Sequence, residues 1–414
     1  MKAAGLQLEK VRIPSDALHL EIHKDFCALD PLREAWDKVA VESGSPVYMS
    51  YDWVKVWWQF YNGGRPLRLL TTHANGELVG VVPMYIDTFR AGPLRFRVAR
   101  IVGDSIPPHL LHPPVRDPFK PAVFDLALRY LLEEEKCDCF SAGPLSDAWE
   151  GKEAMLSSAG RLERLINHVQ VLAAGVHSVF ALPGSYEEYL AKLSKGERKH
   201  RRDYELRHLR KDFDVQIEVV SAPGAVGDEL ERFMVQHAEQ WRLEHLPGHF
   251  RSWPRSIEFN RALVQAQGKL QRLRFIRIIA NNQVISNQYV FAFGNTYHGE
   301  LLARAVGPEW DRFSLGRTTV AVGIQNAIQE GVTRLDGGIG HYDFKVRMGA
   351  QEFGMSRLRF VRNSPTSLWK ARLYGGIGRA VSVGYHKIWY RRVRSRLPLG
   401  WQRPHSFYWL RFGF

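Results

Sequence analysis

The densest run of groups able to move a proton lies between Asp336 and Lys345. It reads Asp336-Gly337-Gly338-Ile339-Gly340-His341-Tyr342-Asp343-Phe344-Lys345. A carboxylate, an imidazole, a phenol and an amine on one Gly-rich segment suit acid–base chemistry. Asp336 is a candidate general base, Tyr342 a candidate acid, and Lys345 a candidate cation on the acceptor or oxyanion side. Each has a plainer role, as a turn former, a packing aromatic and a surface charge respectively. His298, within the strand-like run Tyr297 to Val306, is a second candidate base. A histidine that simply faces solvent is the plainer reading there.

Just upstream, Phe313-Ser314-Leu315-Gly316-Arg317-Thr318-Thr319 opens a helix-like run with Val320, Ile324, Ala327 and Ile328 on one face. Ser314 is the expected N-cap, Gly331 the expected C′ residue, and Val332 to Leu335 reads as a strand. A helix start there would display the amides of Leu315, Gly316, Arg317 and Thr318 at its positive end. With the charge of Arg317 and the room left by Gly316, this start, up to Thr319, would suit a pyrophosphate. An ordinary capped helix packed on a sheet has the same pattern. Trp241, Arg242 and Arg304 would line a cleft for the second substrate, or merely pack.

These groups need elements to hold them, and the chain shows an internal repeat. Leu67 to Gly80 (LRLLTTHANGELVG) aligns without gaps with Leu273 to Ser286 (LRFIRIIANNQVIS). Both alternate apolar residues as strands do, and both turn at Ala-Asn followed by Gly76 or Asn282. Asn-Gly and Asn-Asn tolerate the positive φ of a tight hairpin. Each hairpin follows a Trp-rich helical stretch and leads into a further apolar run. Two related halves are expected, the first from about Leu18 and the second from about Ser178, as mixed α/β layers on twisted, mainly antiparallel sheet. Helices are expected at Leu29 to Val41, around Trp53, Trp57 and Phe60, at Phe124 to Leu132, and around Phe233, His237 and Trp241. Pro107-Pro108 and Pro113-Pro114 bracket a loop. Lys195 to Lys211 reads as one basic helix, with eight Lys or Arg against three acids. It is either a solvated face or a surface for phosphates.

Composition excludes several classes. The chain has 414 residues, 45% hydrophobic and 24% charged, which is that of a folded protein. Three cysteines, Cys27, Cys137 and Cys139, make neither a disulfide framework nor a zinc site, and Cys137 and Cys139 read as strand residues. A reducing, cytoplasmic setting is expected. The start lacks the apolar core of a signal peptide, and no apolar run reaches membrane-spanning length. The net charge of +14 is uneven: no acid follows Glu352, while 13 Lys or Arg do. The body, with 44 bases against 43 acids, is nearly neutral.

The segment Gly307 to Gly349 resembles the end of the GNAT-type acetyltransferase domain of the CelD/BcsL family. That pattern has an aromatic residue, Ser-Pro-Gly, a helix ending in Gly, a strand ending Asp-Phe-Gly, then Gly-x-x-x-Tyr-Lys. Here it is met by Phe313, Ser314, Gly316, Gly331, Asp336, Gly337, Gly340 and Lys345. The basic helix from Lys195, the Trp241-Arg242 pair and the run PLRLLTTHANGELVGVVPM fit as well. The resemblance covers roughly residues 20 to 362 and extends to the tandem Fem-type aminoacyl transferases that build peptidoglycan cross-bridges. Leu315 stands where the family has Pro, which frees one more N–H. Phe344 precedes Lys345 where the family has Tyr, so Tyr342 would supply the phenol only if the loop presents it.

The resemblance implies an α+β fold of two tandem GNAT-like domains, each a mixed, mainly antiparallel sheet flanked by helices. Residues 18–175 would form a degenerate N-terminal domain, 176–362 the acyltransferase domain, and 363–414 a basic aromatic tail. Acetyl-CoA or another acyl-CoA would be the co-substrate, its pyrophosphate on Ser314 to Thr319, with no metal. The acceptor would be a sugar or amine in envelope or exopolysaccharide synthesis. An aminoacyl-tRNA donor, or a non-catalytic scaffold of a polysaccharide complex, are the competing readings. The tail, with 11 aromatics and 10 Lys or Arg from residue 366 onward, suits an anionic membrane surface. Contact with RNA, or a helical extension packed on the body, would also explain it.

Overall fold

A computed structural model describes residues 18–402 apart from 28, 105, 108, 204, 247, 252, 399 and 400. The start of the chain, Pro108 and the tail beyond residue 402 lie outside the described residues.

Twelve strands form one sheet: β1 (Leu18–His23), β2 (Leu67–Ala74), β3 (Glu77–Ala91), β4 (Leu94–Ile101), β5 (Cys139–Ser146), β6 (Ile166–Ala181), β7 (Val215–Val220), β8 (Leu273–Ala280), β9 (Gln283–Phe293), β10 (Thr296–Arg304), β11 (Arg334–Ile339) and β12 (Gln351–Arg362). The helices are α1 (Arg33–Glu42), α2 (Tyr51–Tyr61), α3 (Lys120–Arg129), α4 (Gly151–Arg161), α5 (Tyr186–Lys192), α6 (Lys195–Asp203), α7 (Glu205–Asp212), α8 (Val226–Leu243), α9 (Ser256–Lys269), α10 (Leu315–Gln329), α11 (Asp343–Arg347) and α12 (Pro365–Val383).

The strand order is β1-β2-β3-β4-β5-β12-β6-β11-β10-β9-β8-β7. Read from either edge, the order is the same: four strands joined in sequence, a fifth, then a sixth. The sixth strand on each side comes from the other half. β12 pairs antiparallel with β5, β6 pairs antiparallel with β11, and the exchanged strands pair with each other along the centre. β6 runs unbroken through residues 175 and 176. The β4–β5 and β10–β11 pairs are parallel; every other strand pair is antiparallel.

The repeat holds in detail. Asn75 and Gly76 have φ of 51° and 81°, and Asn281 and Asn282 of 46° and 65°, as a two-residue turn with both central residues at positive φ requires. The β2–β3 register slips between Thr72 and His73, and the β8–β9 register between Ile278 and Ile279. These are aligned positions of the two segments, so even the irregularity is repeated.

The largest core lies between the sheet and α1, α2, α3, α8 and α9. Trp36, Trp53, Trp57, Phe124, Phe233 and Phe259 are fully buried in it. The Trp36 indole N–H donates to the Met49 carbonyl at 2.8 Å, which removes the cost of burying that group. A second core joins α10 to β8, β9 and β10 through Ile276, Val290, Tyr297, Ile324 and Ala327. Cys137 and Cys139 are free and buried; Cys139 opens β5, while Cys137 lies two residues before the strand rather than in it.

The basic segment from Lys195 is helical on both sides of residue 204, as α6 and α7. Its charge is also partly internal: Arg198 caps the carbonyls of Leu190, Ala191 and Leu193, and Arg201 pairs with Glu197. The first helix begins at Arg33, after a short 3-10 turn over Asp30–Leu32. Among the described residues no helix is long and apolar enough to cross a membrane.

Candidate active site

β10 and β11 run together only over Thr296 to His298 and Arg334 to Asp336. Beyond that point they part, while β11 stays paired with β6 through a register shift between Asp336 and Ile339. The β10–β9 register breaks between Gly299 and Leu301, so Glu300 is the extra residue of a bulge. A bulge re-aims a side chain, and here Glu300 lines a cavity of about 760 Å³ at the parting strands. The start of α10, at Ser314 to Arg317, forms another part of its wall.

Glu300 has a partner from the other half. His109 lies in the segment between β4 and α3, and its Nε2 stands 3.2 and 3.0 Å from the two carboxylate oxygens. Both side chains are about nine-tenths buried. The His109 ring stacks on Tyr48 at 3.8 Å, and Tyr48 meets His298 edge-on at 5.5 Å. Burial, then the charges of Glu300 and Asp336, push the Tyr48 phenol well above its ordinary value, so it stays neutral. A carboxylate held by imidazole in a largely apolar cavity can take a proton from an amine or hydroxyl.

Asp336 sits deeper. Its Oδ1 accepts from His177 Nε2 at 2.9 Å and from the Gly338 amide at 2.8 Å, and Oδ2 lies 3.4 Å from His298 Nδ1. Burial would raise its carboxyl, but His177 and then His298 hold it well below the usual range. A carboxylate so stabilised is a weak base. His298 is 4% exposed, and does not face solvent. It is not among the residues that line this cavity and stands instead as a buried neighbour of Asp336.

The start of α10 also differs from expectation. Ser314 occupies the cap position at φ 49° and ψ 43°, with no side-chain capping bond. Its carbonyl takes the amides of Arg317 (2.9 Å) and Thr318 (3.2 Å), which leaves the Leu315 and Gly316 amides as the donors at the cavity. Thr318 and Thr319 are fully buried, their hydroxyls bond to the carbonyls of Phe313 and Leu315, and neither lines the cavity. The Arg317 guanidinium is held by Glu197 at 2.8 Å. A Cβ on Gly316 would meet only the Arg304 side chain, at 3.9 Å, so the space before the helix is open.

Tyr342 and Lys345 line the cavity mouth, with Tyr342 53% exposed. Lys345 donates to the Gly337 carbonyl at 2.7 Å and lies 4.6 Å from the Tyr342 ring centre. Burial lowers its pKa against the pull of Asp336 and Glu352. It buttresses the Gly-rich segment. His341 points away to Glu352 and Asp343. Arg304 lines the cavity, its amide bound by Gln240 at 3.0 Å. The expected Trp241-Arg242 pair does not. Arg242 is exposed and paired with Glu239, and Trp241 packs on His237 and His249. Gln240, one residue earlier, faces the cavity instead.

The sequence reading passed over Glu300 and His109. The available signals were an acid after Gly299 inside an apolar strand, and a His inside the Pro-bracketed loop. Among the described residues no group of three or more His, Cys, Asp or Glu is placed to hold a metal ion.

Residues 196–346 match the family model described as an acetyltransferase (GNAT) domain. Among solved structures, the chain is similar to one titled as the crystal structure of FemX. Identity is 10% over 80% of this chain and 96% of that one, with a TM-score of 0.57. It is also similar to a conserved protein of unknown function from Bacteroides thetaiotaomicron VPI-5482, at 12% identity over 82% and 100% of the two chains and a TM-score of 0.51. No curated protein matches the chain. The second half thus carries a GNAT domain, and the whole is an α+β fold of two GNAT-like halves. The match is to the GNAT domain as such and does not single out the CelD/BcsL family.

Proposed function

We propose that the chain is an N- or O-acyltransferase that uses acyl-CoA, acetyl-CoA first. One observation carries the reading: the parted strands, the open start of α10 and the Glu300–His109 pair all meet in one cavity. The Leu315 and Gly316 amides would take the donor's pyrophosphate, and the edge of β10 past His298 would take its extended arm. Glu300 would receive the proton of the acceptor amine or hydroxyl as that atom bonds the acyl carbon and the C–S bond breaks. His109 would hold the carboxylate in place. Preorganised amides facing the carbonyl oxygen would add about 3 kcal/mol each. An acceptor in envelope or exopolysaccharide synthesis follows the CelD/BcsL resemblance, and Tyr48, Trp253 and Trp310 in the cavity wall suit a sugar ring.

A second reading, transfer from an aminoacyl-tRNA, is favoured by Arg317. Its guanidinium is occupied by Glu197 and so is not free for a phosphate. Calorimetric titration with acetyl-CoA and desulfo-CoA, beside Gly316→Trp, separates the two. Binding by the parent chain that is lost in Gly316→Trp is expected. Absence of binding by the parent chain sinks the CoA reading and moves aminoacyl-tRNA to the front.

A further inference from the structure

The tail after Glu352 has bases and no acids, and the structure shows which way it faces. α12 packs one side against the sheet of the first half: Tyr374 and Tyr385 join Phe96, Val98, Cys139 and Val361 in a small core, with Ala371 and Val381 against it. Asp138 fixes the start of the helix. It accepts from Ser367 at 2.7 Å and Lys370 at 3.2 Å, and Arg362 lies 3.8 Å away. α12 is therefore a built part of the body.

Its other side is apolar and open. Trp369, Leu373 and Ile377 follow one another at every fourth residue and are 52%, 42% and 42% exposed. This spacing stacks them in one stripe. Ile388, 53% exposed, follows on the next helical segment. Arg372, Arg379, Lys387, Arg391 and Arg392 are exposed around the stripe. A helix with one face already committed to the core has no structural need of a second apolar face.

We infer that this outward face of α12 lies in the surface of an anionic membrane. The apolar stripe would enter the acyl boundary while the flanking guanidinium and ammonium groups meet lipid phosphates. Trp369 has the amphipathic ring favoured at that depth. RNA would pair with the bases but gives Leu373, Ile377 and Ile388 nothing to bury against. Because Asp138 and the aromatic contacts hold α12 rigidly, docking would fix the orientation of the whole sheet to the bilayer.

The test is sedimentation of the full chain with vesicles of phosphatidylcholine, with and without phosphatidylglycerol. Binding that requires phosphatidylglycerol is expected. The triple variant Trp369→Ser, Leu373→Ser, Ile377→Ser should weaken it by about tenfold or more, and Arg372→Glu with Arg379→Glu should remove the anionic preference. Thermal unfolding of each variant checks that the outward substitutions leave the fold intact. Binding that survives in the folded triple variant, no vesicle binding at all, or capture of single-stranded RNA in place of vesicles overturns the inference. Acetyl-CoA titration of the same variants is unaffected by any of these results.

Discussion

Glu300 and His109 are 191 residues apart in the chain, yet one imidazole nitrogen of His109 contacts both carboxylate oxygens of Glu300. The carboxylate comes from a bulge in the second half and the imidazole from a loop of the first. Neither half contains the pair alone, so the proposed chemistry would draw on the first half even though the GNAT match covers only the second.

Replacing Glu300 by Gln should lower kcat by roughly a hundred- to ten-thousandfold, the usual worth of a general base. Acyl-CoA affinity should hardly change. His109→Ala should lower kcat less, since it frees the carboxylate without removing it. Steady-state kinetics beside calorimetry give both quantities. Equal activity of Glu300→Gln and the parent chain would rule Glu300 out as the base.

Asp336→Ala should destabilise the fold by about 3–5 kcal/mol, because it leaves the buried His177 without its partner. The lowered carboxyl means that Asp336 contributes stability above its ordinary range near pH 4 and loses it as pH falls through the lower folded value. At neutral pH the contribution is complete. Urea unfolding at pH 7.5 reads the loss, and a change under 1 kcal/mol would contradict the buried pair.

His237 should contribute acid sensitivity. Burial, then His249, lowers its pKa from 6.5 to about 3. The unfolded chain therefore binds the proton first, and stability is lost as pH falls below 6.5. This one group should cost about 1 kcal/mol by pH 5.5. The buried His112 and His249, lowered in the same way, add to it. Comparing unfolding at pH 7.5 and 5.5, His237→Leu should have the shallower pH dependence. An unchanged slope would show that His237 ionises freely in the fold.

Gly323 in α10 leaves room for the Gln288 side chain. A Cβ there would clash with Gln288 Oε1, the end of a flexible side chain. Gly323→Ala should push that amide into the cavity it already lines, raising KM severalfold with little change in unfolding temperature. Unaltered KM would mean that Gln288 turns elsewhere.

The fold was legible where the chain punctuates itself. Asn75-Gly76 and Asn281-Asn282 announced two hairpins, and the matching segments around them announced two halves. Gly316, Asp336 and Lys345 were legible as one neighbourhood because they are close in sequence. What periodicity cannot carry is pairing across the chain. Nothing local says that His109 will meet Glu300, or that Arg317 will be taken by Glu197. Ser314 was misjudged for a related reason: residue type favours a side-chain cap, but the turn from Phe313 forces a left-handed backbone that aims the hydroxyl elsewhere.

The exchange of β6 and β12 imposes an order on synthesis. The first half's sheet ends at β5, and the strand that closes it runs from Gln351 to Arg362. Until that strand leaves the ribosome, β5 has an open edge, and β6 has no neighbour before β11 is made and only β11 after it. The first half therefore waits, incomplete, while the second is translated. An open edge is where foreign strands attach, so the growing chain should lean on chaperones most heavily during that interval. A stop codon late in the second half, anywhere before Gln351, would still leave the first half without its closing strand.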